Sequence, residues 1–333
     1  MRWPPSGHRL LSPRWSSSAP VRGRRRHSAS CVTAWPGCSV RRKQPALART
    51  RRAPPPIRMV SAMPELPDLE IIREVLAPRL RGTRITEVDV VRPLVVRDIT
   101  GTGFAEGLKG RTVSGVARRG KLLLIGLDGG RTMAINCKLA GRLQYARPAD
   151  RRLAKTHIVL YLSNDRELRY SDRRTMGQIY LVDSLDDIPG WSEMAPEPSD
   201  LTPEGFRERL KPFRGEIKGV LTRGRAVAGI GNAYSDEICF RAQLHPYRKR
   251  TSLSEEEITR LYGAMLAVLA QAISTLRERV GTKVHVEVRD FLAVHGKGGE
   301  PCPVCGTTIS EIKAGHRLTN FCRSCQPGGL LSF

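Results

Sequence analysis

The sequence predicts an α+β protein: an antiparallel β-sandwich or barrel, then a helical region, then a small four-cysteine module. Three observations predict it. Seven short runs rich in β-branched residues lie between 85 and 182, separated by Gly and Asp-Gly turns such as Asp128-Gly129. Amphipathic segments take over after Pro203, and the chain closes on Cys302-x2-Cys305-x16-Cys322-x2-Cys325. A length of 333 residues allows about two domains with a real core.

In chain order, residues 1–62 come first. They hold fourteen Lys and Arg, no Asp or Glu, and clusters such as Arg22-Gly23-Arg24-Arg25-Arg26. With neither helical nor strand periodicity, a disordered basic leader is expected there. It reads as a nucleic-acid arm, an Arg- and Ser-rich transit peptide, or upstream sequence translated only on paper. The third reading is favoured, because Met59 and Met63 offer later starts and ordered patterning begins abruptly at Met63.

From Pro67, Leu69, Ile72, Val75, Leu76 and Leu80 recur at helical spacing, so a buried amphipathic helix opens the body. The strand-like runs follow at Ile85–Val91, Thr112–Val116, Leu122–Leu127, Thr132–Ile135, His157–Leu162, Leu168–Tyr170 and Gln178–Val182. Lys121 stands at the mouth of the third. Two polar islands, residues 136–142 and 172–177, fall at strand edges and mix cations with Leu139 or Met176, a combination suited to holding phosphates and wedging bases. Alone, both islands read more readily as turns that carry a core Leu or Met.

A Pro- and acid-rich linker spans Pro189–Pro203, and helices are expected at Pro203–Leu210, Lys218–Leu221, Ala233–Arg241 and Ser254–Leu276. The last starts with a Ser254/Glu257 capping box. Gly229-Ile230-Gly231-Asn232 precedes the third. It reads either as a helix N-terminus open to a phosphate or as a Gly turn with an Asn cap.

The two CxxC knuckles fit four thiolates around one tetrahedral Zn²⁺, a closed and therefore structural site. Lys313, His316, Arg317 and Asn320 lie between them, positioned to touch a polyanion. Cys31, Cys38, Cys137 and Cys239 show no metal spacing and read as free thiols.

Charge narrows the partner. The formal total is +24, of which removal of residues 1–62 leaves +10. A polyanion is the natural partner of such a body, although a solvated basic surface is the plain alternative. No uninterrupted apolar run reaches the roughly 18 residues of a membrane span, so neither an anchor nor a secretory signal is expected.

Met63-Pro64-Glu65-Leu66-Pro67 holds the candidate catalytic chemistry. If Pro64 is the first residue it is a secondary amine, whose attack on a sugar aldehyde carbon gives an iminium, an electron sink for elimination. At a pKa near 7.7–8.0, about one tenth to one sixth of such an amine is unprotonated at pH 7. With a residue before it, Pro64 is an amide without a usable lone pair.

Together with Arg119-Gly120-Lys121, Gly229-Ile230-Gly231-Asn232-x-Tyr234, His245-Pro246 and the Gly-Glu-Pro-Cys at 299–302, these residues resemble the formamidopyrimidine-DNA glycosylase and endonuclease VIII family from Met63 to about Gln326. The resemblance implies an N-terminal β-sandwich catalytic domain (63–185), a helix-two-turns-helix domain (198–292) and a zinc finger (296–328). It implies removal of oxidised bases from flipped nucleotides in damaged double-stranded DNA, then β,δ-elimination at the abasic site. Catalytic roles carry over to Pro64 (nucleophile), Glu65 (acid for ring opening), Lys121 and Arg317. DNA contacts carry over to Lys121, Leu139, Arg174, Met176, Lys218, Asn232 and Arg317.

One structural Zn²⁺ bound by Cys302, Cys305, Cys322 and Cys325 is expected, with no catalytic metal or organic cofactor, and a monomer. The implied location is cytoplasmic and nucleoid-associated in a bacterium, or an organelle if the leader targets one. Leu139, Arg174 and Met176 stand where members commonly carry Met, Arg and Phe. Asn136 replaces a common histidine, and a short Val280–His295 stretch argues against a capping loop for 8-oxoguanine. A silent lesion binder with a retained leader, and an RNA-associated zinc-ribbon protein, are the competing classes.

Overall fold

The computed structural model describes residues 63–314 and 317–328. The expectations for the leader, including Cys31 and Cys38, and for His316 lie outside them. The described residues belong to one compact unit beginning at Val60.

Helix α1 (Leu66–Leu80) starts where the sequence punctuates it. Glu65 is the N-cap, its N–H donates to Asp68 Oδ2 at 2.8 Å, and proline occupies the first turn. Leu69, Ile72, Leu76 and Leu80 enter the sandwich core, whereas Leu66 enters the helical core, so α1 bridges the two.

The sandwich has a four-stranded sheet in the order β1 (Ile85–Val90), β7 (Thr156–Leu162), β8 (Arg166–Asp172), β6 (Gly141–Ala146). The five-stranded sheet runs β2 (Val96–Asp98), β9 (Gln178–Val182), β5 (Thr132–Asn136), β4 (Leu122–Leu127), β3 (Val113–Arg119). Inward residues of both sheets, among them Leu123, Ile125, Ile135, Ile158, Leu160 and Ile179, share one core. Strand β4 is buried throughout because Leu122 and Leu124 face the other way, under Ile188 and under Trp191 and Met194 of the linker.

Three elements exceed the sequence expectation. Strand β6 was hidden because Arg142, Gln144 and Tyr145 break its apolar pattern, and its partner β8 supplies the ladder. Strand β2 pairs parallel with β9, a departure from an all-antiparallel sheet, and the five-residue helix α2 (Phe104–Leu108) plugs Phe104 and Leu108 into the core. Each is decided by tertiary partners rather than by its own composition.

Helices α3 (Pro203–Leu210), α4 (Ile217–Thr222), α5 (Asn232–Arg241) and α6 (Glu255–Val280) form the second core around Phe206, Val220, Tyr234, Ile238, Leu261 and Met265. The capping box of α6 is present: Ser254 Oγ accepts from Glu257 N and Ser254 N donates to Glu257 Oε2 at 3.0 Å. Helix α6 is long and apolar enough to cross a membrane by length and composition, contrary to the run-length count, yet Ile258, Leu261, Met265 and Leu269 pack into the helical core. The chain ends in the hairpin β10 (Ser310–Ala314) and β11 (Arg317–Phe321).

Candidate active site

Strand register gathers the polar islands at one end of the sandwich. Leu122 pairs with Asn136 and Asn136 with Gln178, while Gly141 pairs with Asp172. The turns 119–121, 137–140 and 173–177 are therefore neighbours, and they carry Lys121, Leu139, Arg174 and Met176. Asp172, fully buried, fixes the third turn by accepting from Arg174 N (2.9 Å), Met176 N (2.9 Å) and Gly177 N (2.7 Å). Arg174 and Met176 are left exposed, Met176 at 49%. The first turn is held from the linker, where Glu197 accepts from Gly120 N at 2.5 Å and from Arg118 Nη1 at 2.8 Å.

Glu65 is buried, and its carboxylate accepts from Gly231 N (2.6 Å), Ala233 N (2.8 Å) and Tyr234 N (3.2 Å). The N-terminus of α5 thus receives a protein carboxylate, which corrects the expectation of N–H groups open to a phosphate. The N-cap is Gly231 rather than Asn232. Only glycine fits there, because a Cβ at 231 would lie 2.4 Å from Glu65 Cδ. Gly229 takes φ +80°, turning the chain so that its carbonyl accepts from Leu66 N at 3.0 Å.

Lys121, at the start of β4, is electrostatically coupled to Glu65 at the head of α1. Burial pushes its ammonium below the ordinary lysine value, Glu65 opposes that shift and Lys138 reinforces it.

Pro64 lines a small cleft with Asp68, Arg142, Glu287 and Arg289 over an apolar floor that includes Ile71, Ile72 and Val284. Arg289 Nη2 donates to Asp68 Oδ2 at 2.5 Å and to the Met63 carbonyl at 3.2 Å, and its guanidinium lies 5.0 Å from the Tyr234 ring centroid. Glu287 joins Arg289 (3.5 Å) to Arg142 (2.6 Å). Burial raises the Asp68 carboxyl to about 6 against the pull of Arg289. Sequence reading missed this cluster. The Asp68 capping position was the one local signal; Arg289 is 221 residues from its partner and carried none.

Lys218 and Asn232 lie beneath the hairpin. The Lys218 ammonium, 5% exposed, meets Asp236 Oδ1 (2.7 Å), Leu318 O (2.7 Å) and Thr319 Oγ1 (2.8 Å), and Asn232 Nδ2 donates to Leu318 O at 2.6 Å. All three Lys218 donors are taken, and both residues hold the strand on which Arg317 is exposed. Burial lowers the Lys218 pKa, and Asp236 opposes the shift. Asp236 also accepts from Asn320 N at 3.0 Å and meets His295 Nδ1 at 2.8 Å. Asn320 is fully buried, with Oδ1 accepting from Gly296 N at 2.8 Å, so the expectation that it faces a polyanion is corrected. Lys313 is exposed and paired with Glu311.

The four finger thiols lie within 4.8 Å of one another, with Cys302–Cys325 at 3.8 Å and Cys305–Cys322 at 3.4 Å. A tetrahedron with Zn–S near 2.3 Å needs S–S separations of about 3.8 Å, so these residues fit one structural Zn²⁺. Cys137 and Cys239 are buried free thiols, and burial raises both to about 12.

Comparison with known proteins gives one consistent result. Residues 63–179 match the formamidopyrimidine-DNA glycosylase N-terminal domain, 194–284 the formamidopyrimidine-DNA glycosylase H2TH domain, and 299–328 the zinc finger found in FPG and IleRS. The formamidopyrimidine-DNA glycosylase of Pelotomaculum thermopropionicum is 37% identical over 273 residues, covering 79% of this chain and 99% of that protein. That of Heliobacterium modesticaldum is 38% identical over 276 residues, with 79% and 100% covered. Among solved structures, a Lactococcus lactis FPG mutant with Fapy-dG-containing DNA superposes with a TM-score of 0.71 at 31% identity, covering 80% of this chain and all of that one. The same enzyme with abasic-site DNA gives 0.71 at 30% identity, with 79% and 100% covered. A chain that matches all three parts and spans nearly the whole length of these relatives belongs to the formamidopyrimidine-DNA glycosylase family.

Proposed function

We propose that the chain beginning at Pro64 excises oxidised bases from duplex DNA and cleaves the resulting abasic strand. The observation that carries this reading is the placement of Pro64 at the head of α1, lining a cleft, with the neighbouring Glu65 carboxylate fixed by three N–H groups of α5. Damaged DNA in the solved relatives supports the substrate class.

In this reading the damaged nucleotide is flipped because C1′ is inaccessible in the stack. The Pro64 nitrogen forms a bond to C1′ as the glycosidic bond breaks and the base departs with its electron pair, taking up a proton. The N–H proton that Pro64 sheds on forming this bond passes to the Glu65 carboxylate, which delivers it to O4′ as the ring opens, leaving an iminium between Pro64 and C1′. Loss of a C2′ proton then expels the 3′ phosphate, and a second elimination expels the 5′ phosphate. Lys121 and Arg317 contact phosphates flanking the flipped nucleotide. Leu139, Arg174 and Met176 fill the gap it leaves. Lys218 and Asn232 act at the same backbone, directly or through the hairpin they hold.

A second reading applies to any form in which Met63 stays joined to Pro64: the nitrogen is then an amide, and the fold is a lesion binder without its nucleophile. Borohydride trapping on an abasic-site oligonucleotide separates the two. Protein beginning at Pro64 gives a covalent adduct and protein retaining Met63 gives none; no adduct from the first would sink the catalytic reading.

A further inference from the structure

We propose that Arg289 is a positioning residue that keeps the Pro64 amine in its unprotonated, nucleophilic form. The inference rests on the reading of Pro64 as the nucleophile. Its basis is geometric: Arg289 Nη2 donates to the Met63 carbonyl oxygen, the atom attached to the carbon that acylates Pro64. In a chain that begins at Pro64 this acceptor is gone. Peptide geometry then leaves Nη2 at most about 5.5 Å from the amine nitrogen.

A guanidinium has donors and no acceptor. The only amine it can hydrogen-bond is one with a free lone pair, and its charge penalises a second cation beside it. Arg289 is well fixed for this. Its Nη2 is tied to Asp68, its face lies over Tyr234, and Nη1 has no hydrogen-bond partner among the described residues.

The other charges around Pro64 set the background. On its own helix the neighbours are Glu65, saturated by α5, and Asp68, whose Oδ2 is already shared between Glu65 N and Arg289. From β6 comes Arg142, held by Glu287 of the segment after α6, and Lys121 acts from the start of β4 through Glu65. Removing Arg289 takes a positive charge and a donor from the amine and leaves the acids, so the protonated amine gains.

The body from Met63 spans the full length of its relatives and lies within one compact unit, so the test uses this chain with Met63 cleaved to expose Pro64. Single-turnover borohydride trapping on an abasic-site oligonucleotide is followed from pH 5.5 to 9.5. In Arg289→Gln the acid limb moves up by about one pH unit. Trapping therefore falls about tenfold near pH 6.5 and recovers toward the parent rate above pH 9. Arg289→Lys, which keeps the charge, restores most of the limb. Asp68→Asn, which unmasks the guanidinium charge, moves it down, and this arm decides the matter if the glutamine variant does not fold.

A uniform loss at every pH, or an unmoved limb in both Arg289→Gln and Asp68→Asn, overturns the inference while leaving Pro64 as nucleophile. No adduct from the parent protein overturns both.

Discussion

At the residue scale, the site depends on atoms that cannot move far. A Cβ at 231 would collide with Glu65 Cδ, so Gly231→Ala must displace the carboxylate it is meant to hold. Base excision should fall at least tenfold in single-turnover assays, with about 1–3 kcal/mol of stability lost to overpacking. Glu65→Gln keeps the shape but not the acid. It should retain binding to abasic duplex while strongly impairing excision, and unchanged turnover would count against Glu65 as the acid. Asp68 gives a signed pH effect. Its folded carboxyl is raised to about 6 from 3.8, so the stability associated with its protonated form is present below about pH 4 and lost as pH rises through 6. Melting temperature should decline over that window more steeply in the parent than in Asp68→Asn, and parallel curves would exclude the shift.

At the element scale, loops are positioned by single carboxylates, buried at Asp172 and Glu237 and partly buried at Glu197. Asp172 holds turn 173–177, Glu197 holds turn 119–121, and Glu237 accepts from Ala293, Val294 and His295 N–H groups at 2.8–2.9 Å. Three N–H bonds to a charged acceptor are worth more than neutral ones, so Asp172→Ala should cost about 2–4 kcal/mol by chemical denaturation. Freeing Arg174 and Met176 should also weaken binding to an abasic-site duplex by roughly tenfold, the contact energy of one or two ordered side chains. Asp172→Asn, with one acceptor oxygen left, should fall between. Of these anchors the sequence exposed only the acidic letters. Local signals were stronger for helices: the capping box at Ser254 and the Leu/Ile spacing of α1 and α6 read correctly because capping and amphipathicity act within a few residues.

At the scale of the whole molecule, α1 ties sandwich to helices through Leu66, and the Asp236–Lys218–His295 cluster ties helices to the finger. The finger is therefore a lever on Arg317 as well as a fold of its own. Cys302→Ser should release Zn²⁺ by native mass spectrometry and weaken DNA binding, and undiminished metal content would refute the four-thiolate site. Lys218→Met leaves Asp236 buried without its ammonium partner, which should cost about 3–5 kcal/mol and loosen the hairpin, seen as faster amide exchange at Leu318 and Thr319. By itself the sequence determined the α+β class, the order of the three parts, the four zinc ligands and the Pro64-Glu65 pair, because periodicity, CxxC spacing and a helix start are written in adjacent residues. Only the tertiary structure decided that Glu65 closes the α5 N-terminus, that Lys218 and Asn232 hold the hairpin, and that Arg289 donates to the carbonyl of Met63 beside Pro64. Those contacts join residues 86 to 226 positions apart, and a bond across that distance is set by how the two cores meet at α1 and how the hairpin seats on α4 and α5.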